Sequence, residues 1–174
     1  MTSSITAPSA DAQARLLLLI DVFSGTRGTE ALEGRMKLAK LDFLLRYPDR
    51  LEQLLRNRKI DIDLGDNPWL TGAIEQRMIR YRYGPWDPTY YGLLGALMGK
   101  GLIEATMEKG NAAYRTTESG REVSSALDDT DSWRPVKARA RLLKRHLNYS
   151  GVKLRDLIYE NFPDIVDAEL GTPL

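Results

Sequence analysis

Few side chains in this 174-residue chain are able to do chemistry, and their spacing limits what they can do. The only histidine, His146, stands in the run "KRHLN". A general base or a metal ligand needs partners placed by the fold. The neighbours here, Lys144 and Arg145, repel a metal ion and disfavour an imidazolium, so His146 reads as a helix-surface residue. Asp61, Asp63 and Asp66 in "DIDLGDNPW" suggest a calcium loop, but an EF-hand needs a bidentate glutamate at its twelfth position. Counted from Asp61 that position is Gly72, and a solvated loop is the better reading. There is no cysteine, which removes disulfides, thiolate catalysis and Cys-based zinc sites. No catalytic residue, metal site or cofactor site emerges, and the chain reads as a non-enzyme.

Two other groupings bear on binding. Gly92, Gly95, Gly99 and Gly101 lack the Lys-Ser/Thr that follows a phosphate loop, and their spacing is not the dinucleotide pattern. Gly95 and Gly99 share a helix face, where they would let another backbone approach closely, in this domain or in a partner. Glycine in a helix interior costs about 1 kcal/mol against alanine, so a packing reason is expected. Trp86, Tyr90 and Tyr91 cluster at the start of the same helix. Aromatic residues with small neighbours suit a protein interface better than a DNA groove; the alternative is that all three are core. The partner-facing set is therefore Trp86, Tyr90, Tyr91, Gly95, Ala96 and Gly99.

The basic residues fall in two places. Arg77, Arg80 and Arg82 lie on or beside a strand, and Arg134, Lys137, Arg141 and Lys144 recur every three to four residues as a helical stripe. Such a stripe can bind phosphates without reading sequence, pair with an acidic partner, or stay solvated.

The elements that must position these residues follow from periodicity. Residues 9–23 read as a helix capped by Ser9 or Asp11, with five consecutive apolar residues from Leu16 to Ile20. "SGTRG" breaks it. A second helix runs from about Thr29 or Gly34 to Tyr47, ended by Pro48, and Asp49 can cap a third over 50–56. Residues 57–72 read as loop. "QRMIRYRY", 76–83, alternates as a strand, and Gly84-Pro85 turns the chain. Asp87 caps a helix with Pro88 at its first position, and Gly101 stops it. "LIEATME" and "AAYRT" flank Lys109-Gly110-Asn111 as a hairpin. Thr117 begins the next helix, "DDTDSW" connects, and helices over about 134–147 and 151–161 follow, the last capped by Ser150.

The expected fold is mainly α with a small β-hairpin: a disordered tail at 1–8, a winged-helix core at 9–127, and a C-terminal helical extension at 128–174 packed on the same domain. In that core the helix over about 88–100 is the one that would enter a DNA groove. Its exposed positions, Thr89, Gly92, Ala96, Gly99 and Lys100, offer no bidentate base contact. Twenty-five basic and 24 acidic residues leave a net charge of +1, so any basic surface must be local. No basic residue precedes Arg15, unlike a secretory signal, and no apolar run is long enough to span a bilayer. These features predict a cytoplasmic protein with no membrane contact.

Four segments carry a family resemblance: "GRMKLAKLDFLLRYP" (34–48), "RMIRYRYGPWDPTYYGLLGALMGKGLIE" (77–104), "YRTTESGREV" (114–123) and "LLKRHLNYSGVKLRDLIYENFPDI" (142–165). In this order they resemble the middle components of ABC-three-component anti-phage defence systems, the class that includes Lamassu. The "RYGPW…GLI…YRTTESG" portion also resembles the winged-helix core of Panacea-type antitoxins. The first resemblance implies an accessory subunit beside an SMC-like ATPase and an effector subunit, often a nuclease, and contributes no catalytic residues. The second implies an antitoxin that neutralises a toxin. Fold analogy alone adds a winged-helix transcription regulator. Exposed aromatic and apolar residues leave room for a homodimer, and the basic residues for contact with a DNA backbone.

Overall fold

The computed structural model describes residues 8–62, 78–81 and 84–174. Its elements are α1 (Ala10–Ser24), β1 (Leu32–Glu33), α2 (Arg35–Arg46), α3 (Pro48–Asn57), β2 (Ile79–Tyr81), β3 (Gly84–Trp86), α4 (Tyr90–Gly99), β4 (Ile103–Glu108), β5 (Asn111–Thr116), α5 (Glu118–Asp128), α6 (Arg134–Leu147), α7 (Gly151–Asn161) and α8 (Pro163–Asp167). The fold is mainly helical with a small β-hairpin. Antiparallel β4 and β5 form the hairpin, and β1 pairs with the far side of β5 to give the order β1-β5-β4. A separate antiparallel pair joins β2 and β3.

Local chemistry explains most boundaries. Ser9, Thr117 and Ser150 each accept a backbone N–H of the first turn of α1, α5 and α7, from Ala12, Gly120 and Lys153. The hairpin turns over two residues, Lys109 at φ 49° and Gly110 at φ 80°. Positive φ at both central positions is the turn whose twist matches the strands. α4 ends with Gly101 at φ 69°, where the Leu102 N–H donates to Leu97 O and the Gly101 N–H to Met98 O.

α1 runs through the centre, with Leu16 to Ile20 wholly buried. It meets α4, α5, α6 and β5, while α2 meets α6, α7 and β3. One hydrophobic cluster joins Leu16, Leu44, Leu94, Leu143 and Ile158, so the C-terminal helices share the core of the N-terminal ones.

Several boundaries differ from the sequence expectation. Gly84 and Pro85 do not form the turn; they lie inside β3, opposite Tyr81 and Arg80. Asp49 does not cap α3, which starts at Pro48 with Tyr47 as its cap residue, because proline needs no N–H partner in a first turn. β1 and α8 are additions: two residues are too few to show alternation, and α8 begins at the very Pro163 that ends α7. Asp63, Asp66, Arg77 and Arg82, and the tail before Pro8, lie outside the described residues. Among the described residues no helix is long and apolar enough to cross a membrane.

Candidate functional site

α4 has two faces built from opposite materials. Inward, Tyr90, Leu93, Leu94 and Leu97 are buried. Outward, Tyr91, Gly92, Gly95, Met98 and Gly99 are exposed and Ala96 is half-buried, an arc without one charged side chain. Tyr91 is 60% exposed. A Cβ placed on Gly95 or Gly99 would meet nothing within 4 Å, and one on Gly92 only the Pro8 ring at 3.6 Å. Close approach of another segment of this domain, one of the two explanations for these glycines, is thus removed among the described residues.

The inward face is anchored by a buried charge network. Asp42 accepts from Arg15 Nε at 2.7 Å and Nη2 at 3.2 Å, and from the Tyr90 hydroxyl at 2.7 Å. Arg46 reaches Asp42 at 3.5 Å and Asp87 at 2.7 Å. The other oxygen of Asp87 accepts from the Thr89 N–H and hydroxyl at 2.9 and 2.6 Å. The helix proper begins at Tyr90, two residues after Pro88, yet Asp87 still does the work of a cap on the turn leading into it. Two guanidiniums and two carboxylates balance, and they tie α1, α2 and the start of α4 together.

The titration behaviour fits this anchoring role. Burial would push the Asp87 carboxyl up, but Thr89 and Arg46 outweigh it and hold it below the usual range. Burial, then the Asp42 charge, pushes the Tyr90 hydroxyl well up. Burial would lower Arg46, but Asp42, Tyr90 and Asp87 raise it.

The predicted partner-facing set therefore divides. Tyr91, Gly95, Ala96 and Gly99 lie on the outward arc. Trp86 and Tyr90 are interior residues, packed edge to face with ring centroids 5.1 Å apart, and do not face a partner. Tyr90 was drawn inward by its hydroxyl, whose acceptor lies 48 residues away in α2.

The basic residues also divide. Arg80 is buried, and its Nη1 donates to the Tyr159 hydroxyl at 3.0 Å. The C-terminal segment covers its strand, with the Arg80 N–H donating to Thr172 O and the Gly171 N–H to Arg80 O. It is not available to a nucleic acid. The α6 stripe is paired throughout. Arg134 bridges Asp131 at 2.9 Å, Lys137 bridges Asp21 at 3.3 Å and Asp128 at 3.8 Å, Arg141 bridges Asp128 at 2.7 Å, and Lys144 bridges Glu30 at 2.7 Å. His146 lies half-buried in the last turn of α6. Among the described residues no group of three His, Cys, Asp or Glu side chains could hold a metal ion.

No family model, no curated protein and no solved structure matches this chain.

Proposed function

We propose that the chain is a non-enzymatic adaptor that docks onto a larger protein through the outward arc of α4. The carrying observation is the arc itself: its side chains are uncharged, Tyr91 and Met98 are exposed on it, and among the described residues a Cβ on Gly95 or Gly99 would meet nothing within 4 Å. Each exposed helical glycine forgoes about 1 kcal/mol against alanine. A partner backbone lying close against the helix gives that loss a purpose.

The order α1, β1, α2, then α4 and the β4–β5 hairpin, supports reading residues 9–127 as a winged-helix core. α4 then occupies the place of the groove-entering helix, and its arc carries none of the Arg, Lys, Asn or Gln that read base edges. The resemblance to ABC-three-component middle components supplies the partners in this proposal: an SMC-like ATPase, with an effector nuclease in the same assembly. A DNA-backbone role for α6 is left aside, since each cation of its stripe already has a carboxylate.

The test is purification of the tagged chain from its own host, at native expression and after nuclease treatment, in wild-type, Gly95→Leu and Ala96→Arg forms. Stoichiometric recovery of a coiled-coil ATPase with wild type, and its loss with both variants, is the expected result. Retention by both variants would remove the α4 arc as the interface. A lone small toxic partner would favour the antitoxin reading instead.

A further inference from the structure

A second basic region lies where the N-terminal ends of α2 and α7 meet, beside β3 and the start of α4. It is a groove of about 660 Å³, within the range of small-ligand sites. Its lining includes Arg35, Lys37, Lys40, Tyr91, Gly151 and Arg155.

Two helices of 12 and 11 residues point their amino ends into it. α2 begins at Gly34, which supplies no capping side chain, and neither first turn contains an acidic residue. A Cβ on Gly151 would lie 3.2 Å from the Lys37 amide nitrogen, so the missing side chain lets the two ends come together. The amino end of a helix carries about half a positive charge and aims free N–H groups at an anion. Two such ends in contact repel unless negative charge lies between them.

Lys40 points to an anion independently of the helix ends. It is 1% exposed, and among the described residues its ammonium has no hydrogen-bond partner. Its stem passes Gly84, where a Cβ would stand 3.6 Å from Cε. Burial, with the Arg155 charge adding to it, pulls Lys40 down to about 8, so near neutral pH it remains mostly protonated. A buried charge normally has a paired partner, and the described residues supply none.

The surroundings add more positive charge. Arg35, Lys37 and Lys40 form no ion pair among the described residues. Lys37 donates to the Asn148 side-chain oxygen at 2.7 Å, and the Arg35 guanidinium lies 4.8 Å from the Tyr91 ring centroid. Arg155 bonds its neighbour Asp156, at 2.9 and 2.7 Å. Glu33, the one carboxylate among the described lining residues, is bridged by Lys109 at 3.7 Å.

We propose that this groove binds the phosphate of a nucleotide-sized ligand, held by the first turns of α2 and α7 with Lys37, Lys40 and Arg155, its planar part on Tyr91. The exposed ring under Arg35 is a platform for a base. The inference does not depend on the adaptor reading, although the groove borders α4 at Tyr91.

The test uses the full chain with ADP, AMP, ribose 5-phosphate and inorganic phosphate, against potassium chloride of equal ionic strength. Melting temperature and calorimetric affinity are read together. ADP and AMP are expected to raise the melting temperature by more than about 3 °C at saturating concentration. Lys40→Met, which removes a buried charge and so should fold, is expected to weaken AMP binding at least about tenfold. Arg155→Gln, a more exposed position, gives an independent reading of the same site. No phosphate effect beyond that of potassium chloride, or wild-type AMP affinity in both variants, would overturn the site. AMP binding no tighter than ribose 5-phosphate would overturn the role of Tyr91 and the nucleotide assignment with it.

Discussion

The α6 stripe and the α2–α7 groove are both basic, and they differ in what the rest of the chain does about it. Along α6 every cation of the stripe meets a carboxylate, two of them from the α1 region, Asp21 and Glu30. In the groove the Lys40 ammonium has no hydrogen-bond partner among the described residues, and Lys37 feels the Glu33 and Glu108 carboxylates without an ion pair to either among those residues. A run of positive charge is thus a poor guide to a binding surface, because folding can neutralise it from within. What marks a place for an external anion is charge without an internal answer. The interior shows a similar contrast: Arg15 and Arg46 are matched by Asp42 and Asp87, whereas among the described residues the Lys40 ammonium has no hydrogen-bond partner and Arg139 meets only the Leu45 carbonyl oxygen.

The strongest way to break this contrast is to remove an answer from the core. Asp42→Ala leaves Arg15, Arg46 and the Tyr90 hydroxyl facing an emptied position. Breaking a buried pair from one side typically costs 3–5 kcal/mol, so a loss of about that size is expected in urea unfolding. The start of α4 should loosen with it, read as faster amide exchange at Leu93 and Leu94. A loss below about 1 kcal/mol would mean the network is not what holds α4.

The opposite substitution is Lys40→Met, which removes a charge that has no answer. It should stabilise the protein in phosphate-free buffer. The pH dependence follows from the folded value of about 8 against an ordinary 10.5. A lowered folded value means the unfolded chain holds the proton more tightly between these two pH values, so wild-type stability rises with pH there. The gain from Lys40→Met is therefore complete below about pH 8, on the order of 3 kcal/mol, and fades as pH approaches 10.5. Lys37, Arg155, Arg35 and Glu33 face the same space and are present in both proteins, so the difference isolates Lys40. A gain that does not vary with pH would show that the folded and unfolded chains hold the Lys40 proton equally tightly, so that burial does not disfavour its charge.

These two cases mark where the sequence could be read and where it could not. Local signals were legible: the caps at Ser9, Thr117 and Ser150, the Lys109-Gly110 turn, the buried run Leu16–Ile20 and the basic face of α6 all depend on residues within a few positions. Partners far along the chain were not. Nothing near Lys144 announces Glu30, 114 residues away, and nothing near Tyr90 announces Asp42. Tyr90 and Tyr91 are adjacent and of one type, and only the helix phase and that distant acceptor send one inward and the other outward. The groove was invisible for the same reason, since Lys40 in α2 and Gly151 in α7 meet only through packing. A signal was present in "GRMKLAK", a helix start rich in cations and free of acid, the reverse of the usual first-turn preference.

A smaller effect sharpens the comparison on α4. Gly95→Ala places a methyl where nothing among the described residues lies within 4 Å. It should raise stability by about 0.5–1 kcal/mol, the ordinary helix preference for alanine, measured as an increase in melting temperature. The same glycine would be worth keeping only for a partner, so the stabilised variant should capture less of that partner. Stabilisation with undiminished capture would leave the glycines without a functional reason.

The smallest effect tests the internal pairing of the α6 stripe. Asp128 serves Lys137 at 3.8 Å and Arg141 at 2.7 Å, and it is the last residue of α5. A carboxylate at a helix carboxyl end is mildly unfavourable by itself, and partly exposed ion pairs contribute about 0–1 kcal/mol. Asp128→Asn should therefore change stability by less than about 1 kcal/mol, and the change should shrink in 1 M salt. Its informative readout is binding. If pairing is what silences the stripe, freeing Arg141 and half-freeing Lys137 should delay elution from heparin by a modest, salt-sensitive amount. Lys40→Met alone should reduce heparin retention less than it reduces AMP affinity, since Lys40 is buried from a polymer. If wild type already elutes as late as Asp128→Asn, the carboxylates do not mask the stripe, and α6 returns as a surface for a phosphate backbone.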